Sequence, residues 1–252
     1  MKICVLASGS KGNCSYIETE KTKSLVDLGM SASYVAKSLK NIGVDPSEIQ
    51  RVFITHTHAD HVSGLKVFLK KYHPTIYLTK KMEDELDLDI SDKVYIDKDT
   101  SIADLNVSVI KTSHDVADSN GYIFSSLDKS IVYITDTGYI HVKNFDKLKN
   151  KSLYVFESNH DVRLLREGKY PYYLQQRILS DKGHLSNKDS AYYLSNFIGD
   201  NTEKIILIHL SEENNRPEIA LKTLLDTLEK KGVRRPDIEI AMQRESTELI
   251  EL

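Results

Sequence analysis

The chain has 252 residues, 40% of them hydrophobic and 28% charged, with a formal net charge of −3. It is long enough to bury a substantial core, and its longest apolar runs are strand-sized, which excludes a membrane-spanning helix. The slight negative balance excludes a protein that coats polyanions through its overall charge, while leaving room for a local basic patch.

The opening apolar run, Lys2–Ala7, is too short for a signal peptide and reads as a first strand, so the expected compartment is the cytoplasm. Cys4 and Cys14 agree with it: they are too few for a disulfide framework and are not spaced as metal ligands. Further β-like runs follow at Ser15–Glu18 and Ser24–Leu28, then a helical pattern from about Ser31 to Ile42. In Asp45-Pro46-Ser47-Glu48 the aspartate caps, the proline takes the first turn and the glutamate lies three residues on, marking a short helix start. Arg51–Thr55 is an apolar strand that runs directly into histidines, and Val62–Tyr72 has helical periodicity. The middle is β-rich, with runs at Thr75–Leu78, Lys93–Ile96, Asn106–Lys111, Tyr122–Ser125, Ser130–Thr135 and Ser152–Phe156. The last third turns helical at Lys188–Phe197 and Pro217–Lys231, around strands at Lys204–Ile208 and Asp237–Ala241. No repeat, low-complexity tract or linker interrupts the chain, so one domain over 1–252 is expected. Periodicity alone supports an α/β chain; its arrangement as an αββα sandwich leans on the motifs that follow.

Within Thr55-His56-Thr57-His58-Ala59-Asp60-His61, residues two apart in a strand point the same way, so His56 and His58 reach one ion. Asp60 and His61 sit in the turn into the next helix, where they face a second. Imidazole and carboxylate are the ligands expected for zinc, manganese or iron. A polar turn with Asp60 as a helix cap explains the aspartate but not three histidines in this spacing. One cluster does not complete two coordination spheres, and His114, Asp136 and His209, each following an apolar β run, are the candidates for the rest.

The HxHxDH pattern at Thr55–His61, followed in order by His114, Asp136 in Thr-Asp-Thr-Gly, and His209, resembles the metallo-β-lactamase superfamily over nearly the whole chain. The resemblance implies an αββα sandwich and a two-metal hydrolase. By it, His56, His58 and His114 hold one ion, Asp60, His61 and His209 the other, and Asp136 bridges them, with Zn2+ or Mn2+ expected and iron possible. Asp27, in Leu25-Val26-Asp27-Leu28-Gly29, matches the family's first-motif aspartate, which orients ligands; the alternative is an exposed strand-end carboxylate. Antibiotic hydrolysis is not expected, because the zinc β-lactamases proper use a cysteine or a different histidine set. The long inserted domain of the RNA-processing and DNA-crosslink branch is absent.

Leu6–Asn13 (LASGSKGN), Glu157–Asp161 (ESNHD) and Gly183–Asn187 (GHLSN) are similar to the YycJ/WalJ/VicX-like group of bacterial metallo-hydrolases. That group is regarded as nuclease-like, with members described as double-strand DNA exonucleases acting from the 5′ end. The similarity implies phosphodiester hydrolysis with DNA as the expected partner; the sequence does not identify protein partners. Read by residue type, Ser8, Ser10 and Asn13 sit in a Gly-rich loop with the donors of a phosphate contact, although a hairpin loop fits as well. Glu157 and His184 look like the acid–histidine pair of the ribonuclease Z branch, in which the histidine assists the leaving group and the acid orients it. A capping or apolar-face role for His184 is the alternative. With Asp60 positioning water, the expected catalytic set is Asp60, Glu157 and His184. His160 is either a substrate contact or a surface residue, and His73 and His141 are expected to be exposed. Asp161–Lys188 is locally basic, with Tyr170, Tyr172 and Tyr173 interleaved, which suits either an end-binding nucleic-acid surface or a solvated helix face. The rivals are a thioesterase or lactonase of the same fold and, from another class, an iron-containing redox or sensing module.

Overall fold

In β1 (Lys2–Ala7), Ile3 and Val5 point one way, Cys4 and Leu6 the other, and all four are buried. A strand apolar on both faces needs cover on both. The computed structural model, which describes residues 1–252, supplies it: two seven-stranded sheets pack face to face with helices outside. The first sheet joins β1 to β2 (Cys14–Glu18), β3 (Lys23–Val26), β4 (Arg51–Phe53), β5 (Thr75–Leu78) and β6 (Lys93–Tyr95). The second runs through β7 (Thr100–Ile102), β8 (Leu105–Lys111), β9 (Asn120–Ser126), β10 (Lys129–Ile134), β11 (Leu153–Glu157), β12 (Lys204–Ile208) and β13 (Asp237–Ile240). The last strand, β14 (Ile250–Glu251), returns to pair with β1. Each half begins with antiparallel strands and ends with parallel ones, β3 to β6 and β10 to β13. The pairing pattern repeats although the sequence does not.

Parallel pairs require crossovers. In the first half these carry α1 (Ala32–Asn41), α2 (Ala59–Val62), α3 (Leu65–Tyr72) and α4 (Lys80–Glu85). In the second they carry α5 (Phe145–Leu148), α6 (Val162–Glu167), α7 (Tyr172–Ile178), α8 (Asn187–Phe197) and α9 (Pro217–Lys231). Three apolar layers result. Between the sheets, Val26 and Phe53 meet Tyr122, Phe124 and Val155. Leu6 and Ile54 pack with Val35, Leu39 and Phe68 on one outer side, and Ile134 and Phe156 with Leu194, Phe197 and Leu224 on the other. Each such side chain contributes about 1.5–3 kcal/mol on burial, so it is two-faced strands that hold four layers together. The expected sandwich is therefore present, and Asp45 caps its short 3-10 turn as read. The short helices α4 to α7 and the strands β7 and β14 went unread, because so few residues repeat neither a 3.6 nor a 2.0 period. No helix is long and apolar enough to cross a membrane.

Candidate metal centre

The carboxyl ends of β3, β4, β8, β10, β11 and β12 open onto one edge of the sandwich, and these strand ends and the segments leaving them carry Asp27, His56–His61, His114, Asp136, Glu157 and His209. Asp27, Asp136 and His209 have φ of 60°, 46° and 57°, a left-handed region that non-glycine residues enter at a cost. Hydrogen bonds keep two of them there: Asp27 N–H donates to the Phe53 carbonyl at 2.9 Å, and His209 N–H to Ser8 Oγ at 2.7 Å.

His56, His58 and His114 bring one ring nitrogen each within 4.8 Å of the others, and so do Asp60, His61 and His209 with their ligand atoms. Partners behind the rings choose which nitrogen faces inward. His114 Nδ1 donates to the Gly183 carbonyl at 3.1 Å, leaving Nε2 to face His58 Nδ1 at 3.2 Å. His61 Nδ1 donates to Asp27 Oδ2 at 2.8 Å, which turns Nε2 to Asp136 Oδ2 at 3.2 Å. Asp27 is thus fully buried behind His61 rather than an exposed strand-end group. Asp136 lies between the two groups, its carboxylate 3.4 Å from His209 Nδ1 and 3.8 Å from His114 Nε2.

The donors fit divalent ions. His56 Nε2 and His209 Nε2 are buried without a hydrogen-bond partner, an omission that costs about 1–3 kcal/mol each unless something binds there. Both belong to nitrogen–carboxylate groups suited to transition metals. The electrostatics agree. Burial alone would raise the Asp136 carboxyl, but the charges of His209 and His61 outweigh it and hold it well below the usual range. Burial likewise opposes a charged His209, yet the carboxylates of Asp136, Asp60 and Glu157 around it push that ring up to about 10. Burial and the neighbouring rings push His56 well down. Buried carboxylates gathered in one place require compensating positive charge.

Glu157 ends β11, fully buried. Its Oε1 accepts from His184 Nδ1 at 2.7 Å and from His209 Nδ1 at 3.2 Å; its Oε2 accepts from the N–H groups of Thr137 and Leu185 at 3.0 and 3.1 Å. Burial would raise this carboxyl, but the His184 charge and the bonds from both rings hold it at about 2. The acid–histidine pair is formed, and the same acid grips a candidate ligand. His184 lines a cleft of about 240 Å³ together with Ser10, Asp60, Tyr170, Arg177 and Lys182. A larger cavity, about 400 Å³, lies between α3 and residues 87–92 and contains none of this chemistry.

Other sequence expectations are redirected. Ser8 and Asn13 are buried, and both hydrogen-bond to the turns that carry the candidate ligands. Ser8 Oγ holds the His209 amide, while Asn13 Nδ2 lies 2.9 Å from His61 Nε2 and 3.3 Å from Asp60 Oδ2. His160 is not a surface residue: it is 1% exposed, bridged to Ser186, with both ring nitrogens unpartnered and its pKa pushed down to about 4 by burial. His73 and His141 are exposed. Tyr172 and Tyr173 are each 75% exposed on α7. Three supporting residues went unread. Thr55 Oγ1 donates to Asp27 at 2.7 Å, and Asp115, next to His114, stands 3.6 Å from His58 Nε2. Gly29 leaves no room for a side chain, since a Cβ there would lie 1.6 Å from the Asp60 carbonyl oxygen. Only the adjacency of Asp115 to a histidine ligand offered a signal.

Comparison with known proteins follows the same lines. Residues 7–148 match the model of the metallo-beta-lactamase superfamily. The exodeoxyribonuclease WalJ of Streptococcus pneumoniae serotype 2 is 39% identical over 236 residues, covering 90% of this chain and 88% of that protein. The exodeoxyribonuclease YycJ of Bacillus anthracis is 37% identical over 235 residues, covering 90% and 89%. Among solved structures, the metallo-beta-lactamase fold protein YhfI from Bacillus subtilis superimposes with a TM-score of 0.73 at 17% identity, covering 98% of each chain, which speaks for the fold alone. The resemblance read from the histidine motif thus holds along the length of the molecule, and the chain belongs to the metallo-β-lactamase superfamily, in the branch of these two bacterial proteins.

Proposed function

We propose that this chain is a dinuclear metal-dependent phosphodiesterase that degrades DNA from an end, in the 5′-to-3′ direction. The observation that carries the reading is 37–39% identity along 90% of the chain to proteins named exodeoxyribonucleases. The Glu157–His184 pair at 2.7 Å beside the metal groups supports it. His56, His58 and His114 would hold one ion, Asp60, His61 and His209 the other, with Asp136 spanning them. When bound, ions of the zinc or manganese type supply Lewis-acid stabilisation of the phosphoryl group and lower the pKa of water. The protein's own groups do the rest. Asp60, which lines the cleft, accepts a hydrogen bond from the attacking water and aims it. Glu157 fixes the His184 tautomer and stabilises its charged form, so that His184 Nε2 is the atom that delivers a proton to the departing oxygen. The basic wall of the cleft takes up phosphate charge.

The test is direct: purified protein with Mn2+ or Zn2+ on end-labelled single- and double-stranded DNA and RNA. Shortening of DNA from the 5′ end is expected, faster with Mn2+, by protein carrying about two ions per chain. Inertness on every nucleic acid beside rapid turnover of a thioester or lactone would overturn the reading in favour of a carbonyl hydrolase.

A further inference from the structure

The helix α7 has no buried residue, yet its Leu174, Arg177 and Ile178 line the cleft. Seven residues do not hold a helix in place by propensity alone. Its carboxyl end is pinned instead. The Ile178 carbonyl accepts the His184 N–H at 3.0 Å, and a Cβ on Gly183 would lie 2.0 Å from that same oxygen. Gly183 in turn accepts from His114 Nδ1 at 3.1 Å. The end of α7 is therefore registered on His184 and His114 together.

Asp115 makes a second tie. Its Oδ2 pairs with Arg177 Nε, while its Oδ1 lies 3.6 Å from His58 Nε2 and 3.5 Å from His114 Nε2. With Nε engaged, Arg177 Nη1 and Nη2 make no hydrogen bond within the protein, and the side chain is 55% exposed at the cleft. A guanidinium held by Nε still offers donors in a fixed plane, the geometry that matches two oxygens of a phosphate.

We propose that Arg177 is the phosphate clamp of the cleft, and that Asp115 is the positioning residue that presents it and ties it to His58. The ligand is a backbone phosphate of the nucleic-acid strand, so the clamp rests on the phosphodiesterase reading above. One carboxylate does two things: it fixes the guanidinium plane, and its charge, 3.6 Å from His58 Nε2, favours the tautomer with the proton on that nitrogen, leaving Nδ1 for a metal. Lysine at 177 does not substitute, because a point charge paired with Asp115 has no oriented donors left.

The experiment uses the full chain, with steady-state kinetics on an end-labelled DNA oligonucleotide and Mn2+ titrations against a chelating dye. R177A should raise KM about 10–100-fold, as loss of charge-assisted hydrogen bonds does, with kcat and metal affinity near wild type. R177K should recover little of that loss. D115N should raise KM to a similar extent and, unlike R177A, weaken metal binding about 10–100-fold. The double variant's KM should be no worse than that of R177A, because Asp115 acts on substrate through the arginine. Unchanged KM in both R177A and R177K overturns the clamp, as does metal loss in R177A equal to that in D115N. Wild-type metal affinity and KM in D115N overturn the positioning role. A wild-type protein inert on all nucleic acid removes the phosphodiesterase reading and the clamp with it, while the D115N metal titration still decides whether Asp115 positions His58.

Discussion

Replacing Glu157 by Gln exchanges one oxygen for an NH2 group and leaves packing at this fully buried position intact. The hydrogen bonds do not survive the exchange. The carboxylate accepts four times, from His184 Nδ1, His209 Nδ1 and the amides of Thr137 and Leu185. A glutamine oxygen can still serve the two amides, which turns its NH2 toward both ring nitrogens. Those nitrogens donate in the native arrangement, so donor meets donor. Each ring escapes only by moving its proton from Nδ1 to Nε2. In His209, Nε2 is the atom turned to Asp60 at 3.5 Å, and a protonated nitrogen does not bind a metal. Each buried bond lost costs about 1–3 kcal/mol, and removing the partner behind a metal-binding histidine typically costs about 10–100-fold in affinity. Glu157→Gln should therefore weaken the second ion by that factor while the first stays, and activity should fall further than in His184→Ala. Chelator-competition titration and elemental analysis after gel filtration measure this. A Glu157→Gln protein that keeps both ions at native affinity and matches His184→Ala in rate would refute the reasoning and make Glu157 a partner of His184 alone.

His184→Ala should slow the chemical step about 10²–10⁴-fold with metal content unchanged. The defect should shrink on a nitrophenyl phosphodiester, whose leaving group needs little protonation; equal losses on both substrates would assign His184 to binding instead. Gly29→Ala places a Cβ 1.6 Å from the Asp60 carbonyl oxygen and 2.6 Å from the Asn13 nitrogen, so the turn must move at a cost of about 1–3 kcal/mol. Its melting temperature and second-ion affinity should fall together, and an unchanged melt would show that the backbone yields freely. Burial pushes the Cys4 thiol up to about 11 and Cys14 well above its usual value, so both stay protonated at neutral pH. Disulfide-exchange reagents should find neither until the protein unfolds; rapid labelling of the native chain would contradict their burial.

The metal cluster was legible because coordination demands residue types rarely found together: three histidines and an aspartate within six residues, then His114, Asp136 and His209 each behind an apolar run. Apolar runs of strand length likewise announced β1 to β6 and β8 to β13 closely. It did not announce what stands behind what. The Gly-Ser-Lys loop carries the same donors whichever way it faces, so its pattern did not show Ser8 turned to His209 and Asn13 to Asp60 and His61. His160 lies three residues beyond Glu157 with no period to show that the chain tucks it inward. The double grip of Glu157 on His184 and His209 joins residues 27 and 52 positions apart, and the Asp115–Arg177 tie spans 62. At such separations local pattern carries no information. These contacts exist because β11 lies in register beside β12, Glu157 opposite Ile208, and because the second sheet packs its strand ends against those of the first. Residue chemistry marked the ligands one by one; only the packing of two sheets brought their supporting partners within hydrogen-bonding reach.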